Sequence, residues 1–168
     1  MQGKIKKHKG KSVRFWVQAA VIAGAYAALT IALAPISYGP IQVRVSEALA
    51  VLPRYTPAAV PGLLTGCFAA NLIISPYGIP DLIVGSAATL LAAAASRLLR
   101  GKSWLVPLPP VIINAIGIGA MLFYIYKIPP SLWANMGYVA IGEVLACYGL
   151  GFPLIKYLDR HRAIFSFE

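Results

Sequence analysis

The sequence predicts an all-α integral membrane protein, and three observations carry that prediction. Hydrophobic residues make up 59% of the 168 and charged residues only 12%, well beyond the roughly 45 to 50% apolar content of soluble domains. The mean hydropathy is +0.73. Apolar stretches of spanning length recur along the chain, and the Lys and Arg residues are unevenly shared among the segments between them. At about 1.5 Å per residue a helix needs about 20 residues to cross a hydrocarbon core of about 30 Å, so the chain accommodates five or six helices and no soluble catalytic domain.

The first element is the stretch Phe15 to Ala34, preceded by a basic tail, residues 1–14, with Lys4, Lys6, Lys7, Lys9, Lys11 and Arg14. A Lys-rich tail before an apolar segment reads as an anchor to the inner leaflet rather than a nucleic-acid arm. The stretch exceeds the 7 to 15 residues of a secretory signal core, so it is expected to persist as a helix. Along it Ala19, Ala23 and Ala27 recur every fourth residue, beside a second stripe of Ala20, Gly24 and Ala28. Such spacing lines up small side chains on one face, where another helix can approach closely. That helix could belong to this chain or to a partner subunit.

The second element, Val43 to Tyr55, has only 13 residues and carries Arg44, Glu47 and Arg54. Length alone makes it re-entrant, but charge argues for crossing. If it crosses and the N-terminus is inside, 13 of the 15 Lys and Arg residues fall on the inner side, as the positive-inside rule requires. Four further spans follow at about 56–74, 79–99, 104–126 and 132–155. The expectation is a single transmembrane domain over 1–168, with six helices and both termini cytoplasmic.

Chemistry at membrane depth is confined to a few residues. Glu143 and Asn114 lie near the centres of their spans, while Glu47, Asn71 and Asp81 fall together at one outer depth in the six-span arrangement. An ionisable group at a span centre costs roughly 2.5 to 3.5 kcal/mol on insertion scales, so each needs a partner or a polar cavity. Together with Arg44 and Tyr138 these residues are the candidate ligand pocket, open to the exterior. Each also has a structural reading: Asp81 as a helix N-terminal carboxylate, Glu47 as the ion-pair partner of Arg44, the asparagines as helix-to-helix glue. Tyr26, Tyr138, Tyr148 and Phe68 lie deeper than interfacial aromatics and could either stack on a flat ligand or pack the core.

His8 and His161 are both in the tails and Cys67 and Cys147 both in apolar segments, which argues against a metal site, a disulfide framework or a Ser-His hydrolase. No G-x-x-x-x-G-K-[ST] loop is present, so this chain is not expected to drive uptake with ATP alone, and no cofactor is expected. A ligand-capturing membrane subunit powered from elsewhere fits; a stand-alone homo-oligomeric transporter or channel is the alternative.

The stretch Tyr38-Gly39-Pro40-Ile41-Gln42-Val43-Arg44-Val45-Ser46-Glu47-Ala48-Leu49, followed by Val51-Leu52-Pro53, Ser75-Pro76-Tyr77-Gly78, Asp81 and Gly85-Ser86, resembles the QueT family. These are the queuosine-precursor substrate-binding (S) components of energy-coupling factor (ECF) transporters. The resemblance extends over nearly the whole chain and is most specific over residues 38–53. It implies a six-helix bundle in a bacterial cell membrane that captures a 7-deazaguanine (queuine, preQ0 or preQ1) from outside. It further implies a transmembrane coupling protein and two ATPases as partners, with Ala19, Ala23 and Ala27 as the docking face. A guanine-like edge offers adjacent N–H donors that one carboxylate can accept together. On this reading Glu143 or Glu47 takes the edge, and Asp81 a cationic aminomethyl group.

Overall fold

The computed structural model of the chain describes residues 2–38 and 41–161, with side chains from residue 12 onward. Helices account for all the regular structure among them. Helix α1 runs Gln2–Ala32, a short α2 Ala34–Ser37, α3 Ala59–Ile74, α4 Gly78–Leu98, α5 Leu108–Tyr124, α6 Leu132–Glu143 and α7 Gly151–Arg160. A 3₁₀ helix occupies Val45–Arg54, and a π-helical segment, Val144–Leu150, joins α6 to α7. Three helical stretches, Ser12–Ala32, Gly78–Leu98 and Leu132–Arg160, are long and apolar enough to cross a membrane, and α3 and α5 are shorter apolar helices.

Proline and glycine set most of the boundaries. Pro35 sits in the first turn of α2, where its missing N–H costs nothing. Helix α5 begins after Pro107 rather than at the expected Trp104, with Pro109 and Pro110 in its opening turns. The N-terminus of α1 lies upstream of the expected Phe15, because the Lys-rich tail is itself a good helix former. The side chains of its first five lysines, and Arg162 at the other terminus, lie outside the described residues.

The largest departure from expectation is the second element. The sequence suggests an α-helical span over 43–55; the chain instead winds a 3₁₀ helix over Val45–Arg54 with Pro53 inside it. A 3₁₀ helix rises about 2.0 Å per residue against about 1.5 Å for an α-helix, so ten residues reach about 20 Å. That reach lets the segment run beside α4 for most of its length. Arg44 pairs with Asp81 in the first turn of α4, and Arg97 in its last turn donates to the Pro53 carbonyl at 2.8 Å. Ser46, Glu47, Ala48, Ala50, Val51, Leu52 and Pro53 are all buried, so this segment is the centre of the bundle.

Helix packing around that centre relies on small residues. On α1 the buried positions are Ala19, Ile22, Tyr26 and Thr30, three or four residues apart and therefore on one face. They meet Gly62 and Gly66 of α3. A Cβ on Gly62 would lie 2.8 Å from the Ala19 carbonyl oxygen, and one on Gly66 2.7 Å from that of Ala23. This is the close approach that a small-xxx-small pair permits. Ile22, Tyr26, Leu52, Leu63, Cys67 and Ala93 form the main apolar core, and Ile118, Met121, Leu122 and Val139 pack α5 on α6.

The distribution of polarity is inverted relative to a water-soluble protein. Val17, Val21, Leu72, Ile73, Ile79, Ile83, Leu91, Ile116 and Trp133 are exposed, whereas Glu47, Asp81, Glu143, Asn71, Asn114 and Asn135 are buried. An apolar exterior around a polar interior is what lipid demands of a helix bundle.

Candidate functional site

Two clusters of buried polar side chains meet at the 3₁₀ helix. The first gathers around Asp81, which is held by the N-terminal turn of α4. Arg44 Nη2 lies 3.4 Å from its Oδ2, and Ser75 Oγ donates to the same oxygen at 2.6 Å. Asn71, in the last turn of α3, donates to the Asp81 carbonyl at 3.1 Å and accepts from the Tyr38 hydroxyl at 2.8 Å. The Tyr38 ring also covers the Arg44 guanidinium, 4.9 Å from its centroid, a cation–π contact. Burial, only partly offset by that cation, pushes the Tyr38 phenol up to about 12, so it remains a donor at neutral pH.

The second cluster lies one turn further along the 3₁₀ helix. Glu47, 1% exposed, accepts a short hydrogen bond on Oε1 from the Tyr26 hydroxyl of α1. Glu143, at the end of α6, accepts from Asn114 Nδ2 of α5 at 2.7 Å. Cys147, on the π-helical segment, sits 3.5 Å from both the Glu47 carbonyl and Glu143 Oε2. One donor atom from each of Glu47, Glu143 and Cys147 falls within 4.8 Å of the others. Thr30 links the clusters to α1 by donating to Ser46 Oγ at 2.7 Å. Among the described residues, four buried polar atoms have no hydrogen-bond partner: Arg44 Nε, Glu47 Oε2, Asp81 Oδ1 and Ser86 Oγ.

The wider helix of the π segment starts immediately after Glu143 and lets α7 come close to the 3₁₀ helix. A Cβ on Gly151 would be 2.9 Å from Val51 Cγ1. Gly142 takes the backbone of the segment before the 3₁₀ helix, since a Cβ there would strike the Ile41 carbonyl and lie 2.8 Å from that of Gln42. The chain turns at Gln42 with φ 51°, a left-handed conformation. These contacts hold Arg44 and Glu47 over α6.

Six of the seven candidate pocket residues are thus brought together: Arg44, Glu47, Asn71, Asp81, Asn114 and Glu143. Tyr138 is not. It is 43% exposed, because five helical residues place it about 140° around α6 from Glu143. The expected Arg44–Glu47 ion pair is replaced by Arg44–Asp81, a contact between elements that sequence neighbours cannot reveal. Several participants lie outside the candidate set: Tyr38 and Ser75 beside Asp81, Thr30 and Ser46 between the clusters, Tyr26, whose depth in an apolar span was its only signal, and Cys147, which looks like an ordinary apolar-segment cysteine.

On α1, Ala19 is 6% exposed and packed inward on Gly62, while Ala23 and Ala27 lie half-buried at the edge of that contact. The neighbouring Ala20, Gly24 and Ala28 face outward. Trp16, Ala19, Ala20, Ala23, Pro61 and Thr65 line a shallow groove of about 190 Å³ between α1 and α3.

Residues 16–160, which contain every side chain of both clusters, match the QueT transporter family model. The chain belongs to the QueT transporter family. No curated protein and no solved structure matches it. As a QueT-family protein with apolar spanning helices it is a multi-pass membrane transporter rather than an enzyme. The buried polar clusters are therefore to be read as features of a transport protein.

Proposed function

We propose that this QueT-family chain is the substrate-capture subunit of an ECF-type importer, taking a 7-deazaguanine from outside and passing it through a separate ATP-driven coupling module. The observation that supports this reading is the convergence of Glu47, Glu143 and Asn114 from three elements in the bundle interior. Buried carboxylates at membrane depth are costly unless they serve a ligand or each other. A guanine-type edge supplies what they lack: N1–H and the exocyclic amine are donors to a carboxylate, and an Asn N–H beside it can donate to O6.

The proposal includes six crossings with both termini cytoplasmic. The 3₁₀ helix supports it, since its two ends contact opposite ends of α4. Arg54, Arg97, Arg100, Lys156 and Arg160 then share the cytoplasmic side. The coupling protein would dock on α1. Ala19 is taken up by α3, so the docking surface runs along the edge at Ala23 and Ala27 and the open stripe Ala20, Gly24 and Ala28.

The test is equilibrium binding of queuine, preQ0 and preQ1 to the detergent-purified protein, with guanine and biotin as controls. Saturable binding of at least one deazaguanine, with none of biotin, is expected. Folded protein that binds no deazaguanine would refute the proposal.

A further inference from the structure

Resting on the deazaguanine reading, we infer that ligand selectivity is set by charge: Glu47 Oε2 receives a protonated amine of the ligand, so the site takes a cationic 7-deazaguanine in preference to a neutral one. The deep polar region holds three carboxylates, Glu47, Asp81 and Glu143, and one cation, Arg44. Arg44 is committed to Asp81, with Ser75 completing that carboxylate's Oδ2. The cationic substituent therefore falls at Glu47 rather than at Asp81, whose Oδ1 is also unpartnered but whose charge is paired with Arg44.

Glu47 and Glu143 form no ion pair among the described residues. The groups facing them are Tyr26 from α1, Cys67 from α3, Asn114 from α5 and Cys147 from the π segment, with Arg44 acting on both from beyond ion-pair distance, so one cation is shared among three carboxylates. Glu143 has both oxygens occupied, by Asn114 and by Cys147. Glu47 has one oxygen occupied by Tyr26 and the other, Oε2, buried with no partner. A buried carboxylate oxygen without a hydrogen bond carries a large desolvation cost. An ammonium group supplies both the missing donor and the missing charge, and such charge-assisted bonds are about twice as strong as neutral ones.

A metal ion is the competing source of positive charge, because Glu47, Glu143 and Cys147 cluster within 4.8 Å. The set is one short of the four protein ligands of a closed tetrahedral site, and no further His, Cys, Asp or Glu joins it among the described residues. Cys147 Sγ is also already engaged with the Glu47 carbonyl and Glu143. The organic amine fits the vacant oxygen better.

Equilibrium binding of preQ1 (aminomethyl, cationic), preQ0 (nitrile, neutral) and unsubstituted 7-deazaguanine to the full chain in detergent tests this. The expected result is preQ1 bound about 10- to 100-fold tighter than either neutral base, the ratio falling to within about threefold in Glu47→Gln. Equal affinity of the parent protein for preQ1 and preQ0 overturns the inference yet leaves the deazaguanine reading intact, and it needs no variant to fold. Retention of the preference in folded Glu47→Gln overturns the role of Glu47. Saturable binding of Zn²⁺ alone, with preQ1 binding abolished by a chelator, assigns the charge to a metal and overturns it too. Binding of no deazaguanine removes both readings together.

Discussion

The two polar clusters on the 3₁₀ helix sit one turn apart and use the same residue types, yet they are finished differently. Around Asp81 a cation, a serine and an aromatic face surround one carboxylate, and the arrangement is electrically balanced. Around Glu47 and Glu143 two carboxylates are hydrogen-bonded only by uncharged donors and neither is ion-paired, although each cluster leaves one carboxylate oxygen without a partner, Asp81 Oδ1 in the first and Glu47 Oε2 in the second. A balanced buried cluster holds a fold together; an unbalanced one is incomplete until something else enters. The difference separates a cluster whose carboxylate is ion-paired within the bundle from one whose carboxylates are not.

Breaking the balanced cluster is expected to have the largest effect. Arg44→Ala leaves Asp81 buried without a counter-ion, which should cost about 3–5 kcal/mol, seen as a lower thermal midpoint in detergent. Adding Asp81→Ala should recover much of it. If Arg44→Ala melts like the parent, the two clusters do not differ in the way described.

Glu143→Gln acts on the other cluster and should move in the opposite sense. Removing a buried charge that has no ion-pair partner leaves the melting temperature unchanged or higher, while 7-deazaguanine affinity falls by about 10- to 100-fold. A loss of stability comparable to Arg44→Ala would make Glu143 a structural group.

The comparison sharpens further at the helix that supplies Tyr26 to Glu47. A leucine at Gly66 must displace the Ala23 carbonyl, 2.7 Å from the new Cβ, and Tyr26 Cβ at 2.8 Å. Overpacking of this kind costs about 1–3 kcal/mol, and ligand affinity should fall with it as Tyr26 leaves Glu47. Gly24→Leu, with nothing within 4 Å of its Cβ, should leave folding and binding alone and reduce transport only, measured as ligand uptake by cells. Equal loss of binding and uptake in Gly24→Leu would remove the outer stripe from docking.

The smallest effect belongs to Tyr38→Phe, which keeps the ring over Arg44 and loses the bond to Asn71. About 0.5–1.5 kcal/mol is expected, with ligand affinity unchanged. An affinity loss beyond about tenfold would place Tyr38 in the binding site rather than in the balanced cluster.

Much of this was legible in the residues themselves. Apolar stretches bounded by Pro and Gly give the helices, and charged or amide groups inside such stretches stand out because lipid penalises them. Depth therefore marked Glu47, Asn71, Asp81, Asn114 and Glu143 without any knowledge of neighbours. What periodicity cannot reveal is pairing between elements. Tyr138 shares a span with Glu143 and sits on another face of it; Arg44 is three residues from Glu47 but bonds to Asp81; Ala19 belongs to a regular stripe whose partner is Gly62 within the same chain.

The sequence by itself determined that this is a helical membrane protein with its ionisable groups at depth, because hydropathy and the cost of burying charge act residue by residue. Only the tertiary structure decided which carboxylate is neutralised and which is left open. That depends on a 3₁₀ helix and a π turn whose altered rise and width bring Arg44 to Asp81 and Glu47 to Glu143, and such departures from α-helical geometry arise from packing, not from local preference.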